Sequence, residues 1–137
     1  MDQFNRTLSR YEPIVLSIFR IMVGLLLFQY GVAKILVYPV LPYFANIPPL
    51  IATAGWLELV LGALLIVGLF TRPVAFILSG EMAFAYFMGH MFKGATPVFT
   101  PLLNGCNAGI LFCFACLYLA FAGGGVWSLD AMVRKRA

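Results

Sequence analysis

Charged residues are scarce in this chain. They make up 10% of its 137 residues, and only five of them are acidic. Soluble domains carry about 25% charged residues. Hydrophobic residues account for 63% of the sequence. This composition excludes a water-soluble globule and indicates a protein embedded in a lipid bilayer, with enough length for one domain of four membrane spans.

Residues that carry common active-site chemistry are equally few. The chain has one histidine and three cysteines, and no motif typical of a nucleotide-binding loop, a metal site or a nucleophile–base pair. Cys113 and Cys116 have redox-motif spacing, but they fall in an apolar segment where a thiolate is disfavoured. We interpret them as packing residues. Any electron transfer therefore needs a bound cofactor or a partner protein.

Four apolar segments predict an all-α polytopic membrane protein, a bundle of four transmembrane helices with a short interfacial helix at the C-terminus. At about 1.5 Å per residue, each segment is long enough to cross a hydrocarbon core of roughly 30 Å. Pro13 suits the first turn of the first helix. The predicted organisation is a polar leader at 1–12, a membrane domain at 13–122 with helices at about 13–37, 50–70, 73–92 and 102–122, and a tail at 123–137.

The basic residues predict the orientation of this bundle. Lys93 is alone on one side of the four-span arrangement, so the positive-inside rule places both termini in the cytoplasm. No nucleic-acid partner is predicted, because the basic residues occupy chain ends and turns rather than a groove. The residues on the opposite side from Lys93 are Arg6, Arg10, Arg72, Arg134, Lys135 and Arg136.

Four charged residues fall inside the predicted spans, where a charge at a helix centre costs about 2.5–3.5 kcal/mol. Arg20 on the first helix and Glu81 on the third lie at matching depths, which predicts an intramembrane ion pair. Lys34 on the first helix and Glu58 on the second lie near the outer boundary and predict a second pair.

The outer layer also contains His90, Asn104 and Asn107. Together with Lys34 and Glu58, these residues are our candidate ligand-binding site, a small polar pocket that opens toward the outer face. Its lysine, histidine and asparagines are able to donate hydrogen bonds to quinone carbonyls, and its glutamate is able to accept a proton. A quinone is therefore the cofactor we consider. No metal site and no catalytic residue are assigned. The aromatic residues predicted to line the slot are Tyr30, Tyr38, Tyr43 and Phe92.

Glycines at seven-residue spacing predict close contact between the first two helices. Gly24 and Gly31 lie on one face of the first helix, and Gly55 and Gly62 on one face of the second. Small residues let two membrane helices approach closely. Glu58 points toward the same face, so its carboxylate is expected in that contact.

Three motifs carry a family resemblance. The pattern Arg20-x3-Gly24-x3-Phe28-x2-Gly31-x2-Lys34, the pattern Gly55-x2-Glu58-x3-Gly62 with the following turn at 68–73, and the ending at 123–130 resemble the DoxX family of small bacterial membrane proteins. The resemblance implies four helices in a bacterial inner membrane. For some members it also implies a membrane subunit of a quinone-linked oxidoreductase, notably thiosulfate:quinone oxidoreductase.

Three functional hypotheses follow. The first is a quinone- or redox-linked membrane subunit that works with a soluble oxidoreductase, and a homo-oligomer is expected under all three hypotheses. The second is a small proton-coupled solute or ion transporter that uses Glu58 or Glu81. The predicted partner of Glu81, Arg20, argues against that glutamate as the free carboxylate a cation exporter needs. The third is a non-enzymatic scaffold that holds a soluble oxidoreductase at the membrane.

Overall fold

The chain folds into helices and turns, and across residues 1–136, which the computed structural model describes, there is no β-strand. Ala137, the last residue of the predicted tail, lies outside the described residues. A 3-10 turn, Pro42–Phe44, interrupts the first long loop, and a π-helical segment, Ala85–Met91, continues the third helix. The α-helices are α1 (Asp2–Ile35), α2 (Pro49–Val67), α3 (Thr71–Phe84), α4 (Pro101–Asn104), α5 (Asn107–Ala122) and α6 (Leu129–Arg136).

The predicted helical membrane fold is confirmed. Helices α1, α2 and the continuous stretch Thr71–Met91 are long and apolar enough to cross a membrane, and α5 is a shorter apolar helix of 16 residues. Large apolar side chains such as Phe76, Leu111 and Phe121 are exposed on the outside of the bundle. Lipid is the solvent that suits such a surface, so the chain is a membrane protein.

The bundle consists of two antiparallel helix pairs, α1 with α2 and α3 with α5. Trp127, which precedes α6, contacts Ser17 in the first half of α1. We call this end of the bundle, where the C-terminal tail meets α1, the terminal end, and the opposite end the distal end. The largest fully buried apolar side chains of the core between the pairs are Leu27, Leu65, Leu78 and Leu119.

The glycine faces of α1 and α2 form the closest helix contact, as predicted. A Cβ atom added at Gly31 would overlap the backbone of Leu59, with 2.6 Å to its Cα. A Cβ atom added at Gly62 would lie 2.9 Å from the backbone nitrogen of Phe28. Neither backbone can move away cheaply, so these positions require glycine.

Helix α1 begins earlier than predicted. It starts at Asp2 rather than at Pro13, which lies inside the helix. Proline removes one helical hydrogen bond, and the helix tolerates this loss because the preceding polar residues are themselves compatible with a helix. Residues 1–13 are all exposed, so the predicted leader is a helical extension that projects beyond the bundle.

The predicted helix at 102–122 is two helices. Gly105 has a φ of +77° and ends α4, and α5 begins at Asn107. The predicted short C-terminal helix is present as α6. Ser128 caps it, because its Oγ atom accepts a hydrogen bond from the backbone nitrogen of Ala131 at 3.2 Å.

We predict that Gly31→Ala lowers the free energy of unfolding by about 1–3 kcal/mol, because the new methyl group overpacks the α1–α2 contact. The matched control is Gly80→Ala. Within the described chain nothing lies within 4 Å of a Cβ atom there, so alanine should be neutral or slightly stabilising. Unfolding in mixed micelles measures both. Equal stability of the two variants would contradict this packing.

Candidate functional site at the buried charges

Lys34 and Glu58 form the predicted ion pair at the distal end. The Nζ atom of Lys34 donates hydrogen bonds to both carboxylate oxygens of Glu58, each at 2.7 Å. The side chains are 12% and 3% exposed. A Cβ atom at Gly55 would lie 2.8 Å from Lys34 Cβ, so the glycine face brings the helices close enough for this pair. The Lys34–Glu58 pair is confirmed.

Two aromatic rings flank the lysine ammonium group. Its Nζ atom lies 5.9 Å from the ring centroid of Tyr30 and 5.7 Å from that of Phe44, within the range of a cation–π interaction. Tyr30 was predicted to line the site, and Phe44 was not. Tyr38 and Tyr43 are 73% and 69% exposed. Phe44 belongs to the 3-10 turn, and helical periodicity does not predict how a turn directs its side chains.

Arg20 is completely buried at the terminal end and is bound by backbone carbonyls. Its Nη1 atom donates to Leu65 and Ile66 at 2.6 Å each, its Nε atom to Gly124 at 2.8 Å, and its Nη2 atom to Trp127 at 2.7 Å. The α2 carbonyls lie in the last turn of that helix, where carbonyls lack the regular helical donor four residues further along the chain. One guanidinium group therefore joins α1, α2 and the C-terminal tail.

The predicted Arg20–Glu81 ion pair is wrong. Both carboxylate oxygens of Glu81 are buried, and among residues 1–136 neither has a hydrogen-bond partner. Matching depth places two groups at one height in the membrane, but it does not determine the direction in which each helix presents its side chain. The guanidinium group of Arg20 instead donates to carbonyls at the C-terminal end of α2 and in the tail.

Gly68 leaves space for the guanidinium group at the terminal end. It ends α2 with a φ of +72°, a conformation that favours glycine. A Cβ atom there would lie 2.8 Å from Arg20 Nη1 and 2.5 Å from Ser128 Cβ. The buried arginine and the serine of the tail therefore leave no room for a Cβ atom at position 68.

Asp130 in α6 caps the N-terminus of α3. Its Oδ1 atom accepts a hydrogen bond from the backbone nitrogen of Phe70, and its Oδ2 atom one from that of Thr71, each at 2.8 Å. Burial raises the pKa of Asp130, but hydrogen bonds from Thr71 and Phe70 and the charge of Arg134 lower it, so the net pKa lies below the ordinary 3.8. The sequence does not indicate this bond between α6 and another helix.

The other predicted site residues form a separate group. The Nδ1 atom of His90 lies 3.0 Å from the backbone oxygen of Asn104. The side chain of Asn104 donates to the carbonyl of Val98 at 2.9 Å and accepts from the backbone nitrogen of Cys106 at 3.0 Å. Asn107 is exposed. Within residues 1–136, no hydrogen bond joins this group to the lysine–glutamate pair.

Comparison with known proteins places these motifs in a family. The family model described as DoxX matches residues 15–91, more than half of the chain. The chain belongs to the DoxX family. A DoxX relative in Haemophilus influenzae, described as an uncharacterized protein, is 40% identical over 132 residues, which cover 94% of this chain and 98% of the relative. No solved structure matches the chain.

The family match includes the whole Lys34–Glu58 site of this DoxX protein and part of its Arg20 site. It contains Arg20, Lys34, Glu58 and Glu81, whereas the tail that binds the arginine lies beyond it. In the part of the chain that the structure describes, no group of three or more His, Cys, Asp and Glu residues is arranged to hold a metal ion.

We predict that Asp130→Asn destabilises this DoxX protein by about 1 kcal/mol at neutral pH, because one of the two capping acceptors is lost. Because the pKa of Asp130 is lowered in the folded state, its stabilising contribution is present above about pH 4. It is lost as the pH falls through the folded-state pKa. Thermal unfolding between pH 3 and 7 measures the effect. Asp2→Asn, at an exposed acid, is the control. If both variants have the wild-type pH profile, Asp130 is not a cap.

Proposed function

We propose that this DoxX protein is a membrane subunit that binds the head group of a quinone, or of a similar lipid-soluble redox molecule, beside Lys34. The proposal depends on the one N–H donor of that ammonium group that Glu58 does not engage. An ammonium group has three N–H donors, and Glu58 accepts two of them. One donor is left, on a side chain that is 12% exposed.

The residues around this donor fit a quinone. A quinone carbonyl needs a hydrogen-bond donor, and its flat ring packs well against aromatic side chains. Tyr30 and Phe44 supply such rings beside Lys34. A bound quinone supplies two-electron redox chemistry. Lys34 orients a carbonyl oxygen, and Glu58 fixes the lysine and is able to take up a proton.

Further parts of the proposal concern the surroundings of the site. His90, Asn104 and Asn107 belong to the proposed site as further polar groups at the distal end, and His90 is the one of them that is able to carry a proton. The sequence contains no redox-cofactor motif, so electrons come from a soluble oxidoreductase partner. We propose an inner-membrane homo-oligomer with both termini in the cytoplasm, since four short helices enclose little volume and the basic residues flank the terminal end.

The test is quinone binding to the protein in lipid nanodiscs, measured with a short-tailed ubiquinone analogue. The variant is the double substitution Lys34→Met with Glu58→Gln, which removes both charges of the pair and so leaves neither of them buried alone. A hydrogen bond from a charged donor contributes about 1.5–3 kcal/mol, so we expect at least about tenfold weaker binding. The control is Lys93→Gln in the exposed second loop.

Quinone binding by the wild type and the Lys93 control, with loss in the double variant, supports the site. A wild type that binds no quinone, or a double variant that binds as tightly as the control, contradicts it. Retention of a soluble partner without any quinone binding would favour the scaffold hypothesis.

A second candidate function is proton-coupled transport, and the environment of Glu81 favours it. The carboxylate oxygens are buried and, within the described chain, have no hydrogen-bond partner. A buried carboxyl group that no arginine neutralises is able to exchange a proton for a cationic solute. The predicted pairing of Glu81 with Arg20 counted against a transport role for this glutamate, and the structure does not contain that pair.

We predict that, under the transport hypothesis, proteoliposomes with a pH gradient accumulate a lipophilic cation such as ethidium and that Glu81→Gln reduces the rate at least about tenfold. Glu12→Gln, at an exposed acid in α1, is the control and should transport normally. Fluorescence measures uptake. The hypothesis fails if the wild type does not transport, or if the two glutamine variants behave alike.

A further inference from the structure

An open cleft of about 960 Å³ lies at the terminal end, between α6 and the start of α3. Part of its wall is apolar, and Phe70, Val126 and Val133 contribute exposed side chains to it. The cleft thus combines an apolar surface with the basic end of the bundle.

Among residues 1–136, three cations and one acid line the same cleft, and the acid is already engaged. Arg72, Arg134 and Lys135 contribute to the lining, and Asp130 is the acidic residue among them. Both oxygens of Asp130 accept hydrogen bonds from the backbone at the start of α3. Arg72 donates from Nη1 to the carbonyl of Phe121 at 2.7 Å, which holds its guanidinium group at this position with other donors to spare.

We propose that this cleft binds an anionic phospholipid, with the phosphate at Arg72, Arg134 and Lys135 and an acyl chain along the apolar wall. Basic pockets beside membrane helices attract anionic headgroups. A free phosphate would satisfy the cations but leave the apolar wall uncovered. A lipid covers both, and it would lie against α6 and the start of α3 together. This inference is independent of the proposed quinone site.

The test compares lipid binding by native mass spectrometry, with dioleoylphosphatidylglycerol and dioleoylphosphatidylcholine as probes. The variant Arg134→Gln/Lys135→Gln changes two exposed cations of the cleft. The control Arg6→Gln/Arg10→Gln removes the same charge from exposed positions on the projecting part of α1. At about fivefold per cation, we expect the cleft variant to bind phosphatidylglycerol roughly 25-fold more weakly and the control to bind it like the wild type.

Three results would overturn the proposal. Equal weakening in both variants would show a general attraction to positive charge. Equal binding of the two lipids by the wild type would show that the anionic headgroup does not matter. Displacement of phosphatidylglycerol by inorganic phosphate at equal concentration would show an anion site without a role for the acyl chain. Thermal unfolding midpoints of both variants within a few degrees of the wild type establish that each is folded.

Discussion

A guanidinium group buried among membrane helices must find acceptors for its N–H groups, and Arg20 finds them on the backbone. The bilayer supplies no water, and an unpaired charge there is costly. The acceptors come from the last turn of α2 and from the tail after α5. One side chain therefore ties the first helix pair to the C-terminal segment. Gly68 and the tail serine fit around it, and Asp130 extends the same contact to α3.

At the distal end, a buried charged group also needs hydrogen-bond partners, but it finds them on a side chain. Lys34 is paired with a carboxylate on the neighbouring helix and keeps a donor free near the surface, whereas the buried arginine donates from all three of its nitrogens. Glu81 stands apart, because within residues 1–136 its buried oxygens have no hydrogen-bond partner. Polar groups that are not fully satisfied are where membrane proteins bind ligands and move protons. The proposed quinone site therefore lies at the distal end, whereas the contacts of Arg20 at the terminal end support the fold.

Much of this arrangement could be read from the sequence. Glycine spacing predicted the α1–α2 contact, and depth with the same spacing predicted the Lys34–Glu58 pair, because both groups lie on helix faces that must meet. The partner of Arg20 could not be predicted this way. Its acceptors are backbone carbonyls, which every residue carries, so no side-chain pattern marks them. Phe44 was not predicted because turn geometry, rather than helical periodicity, determines the direction of its side chain. The N-terminal extension of α1 was not predicted because Pro13 was interpreted as the first turn of the helix.

Arg20 is held by backbone carbonyls and not by Glu81. Solid-state NMR of the protein in lipid bilayers measures this directly, through dipolar recoupling between the ¹⁵N-labelled arginine side chain and selected ¹³C carbons. We expect strong coupling to the carbonyl carbon of Leu65 and none to the carboxyl carbon of Glu81. Strong coupling to Glu81 without coupling to Leu65 would contradict this expectation.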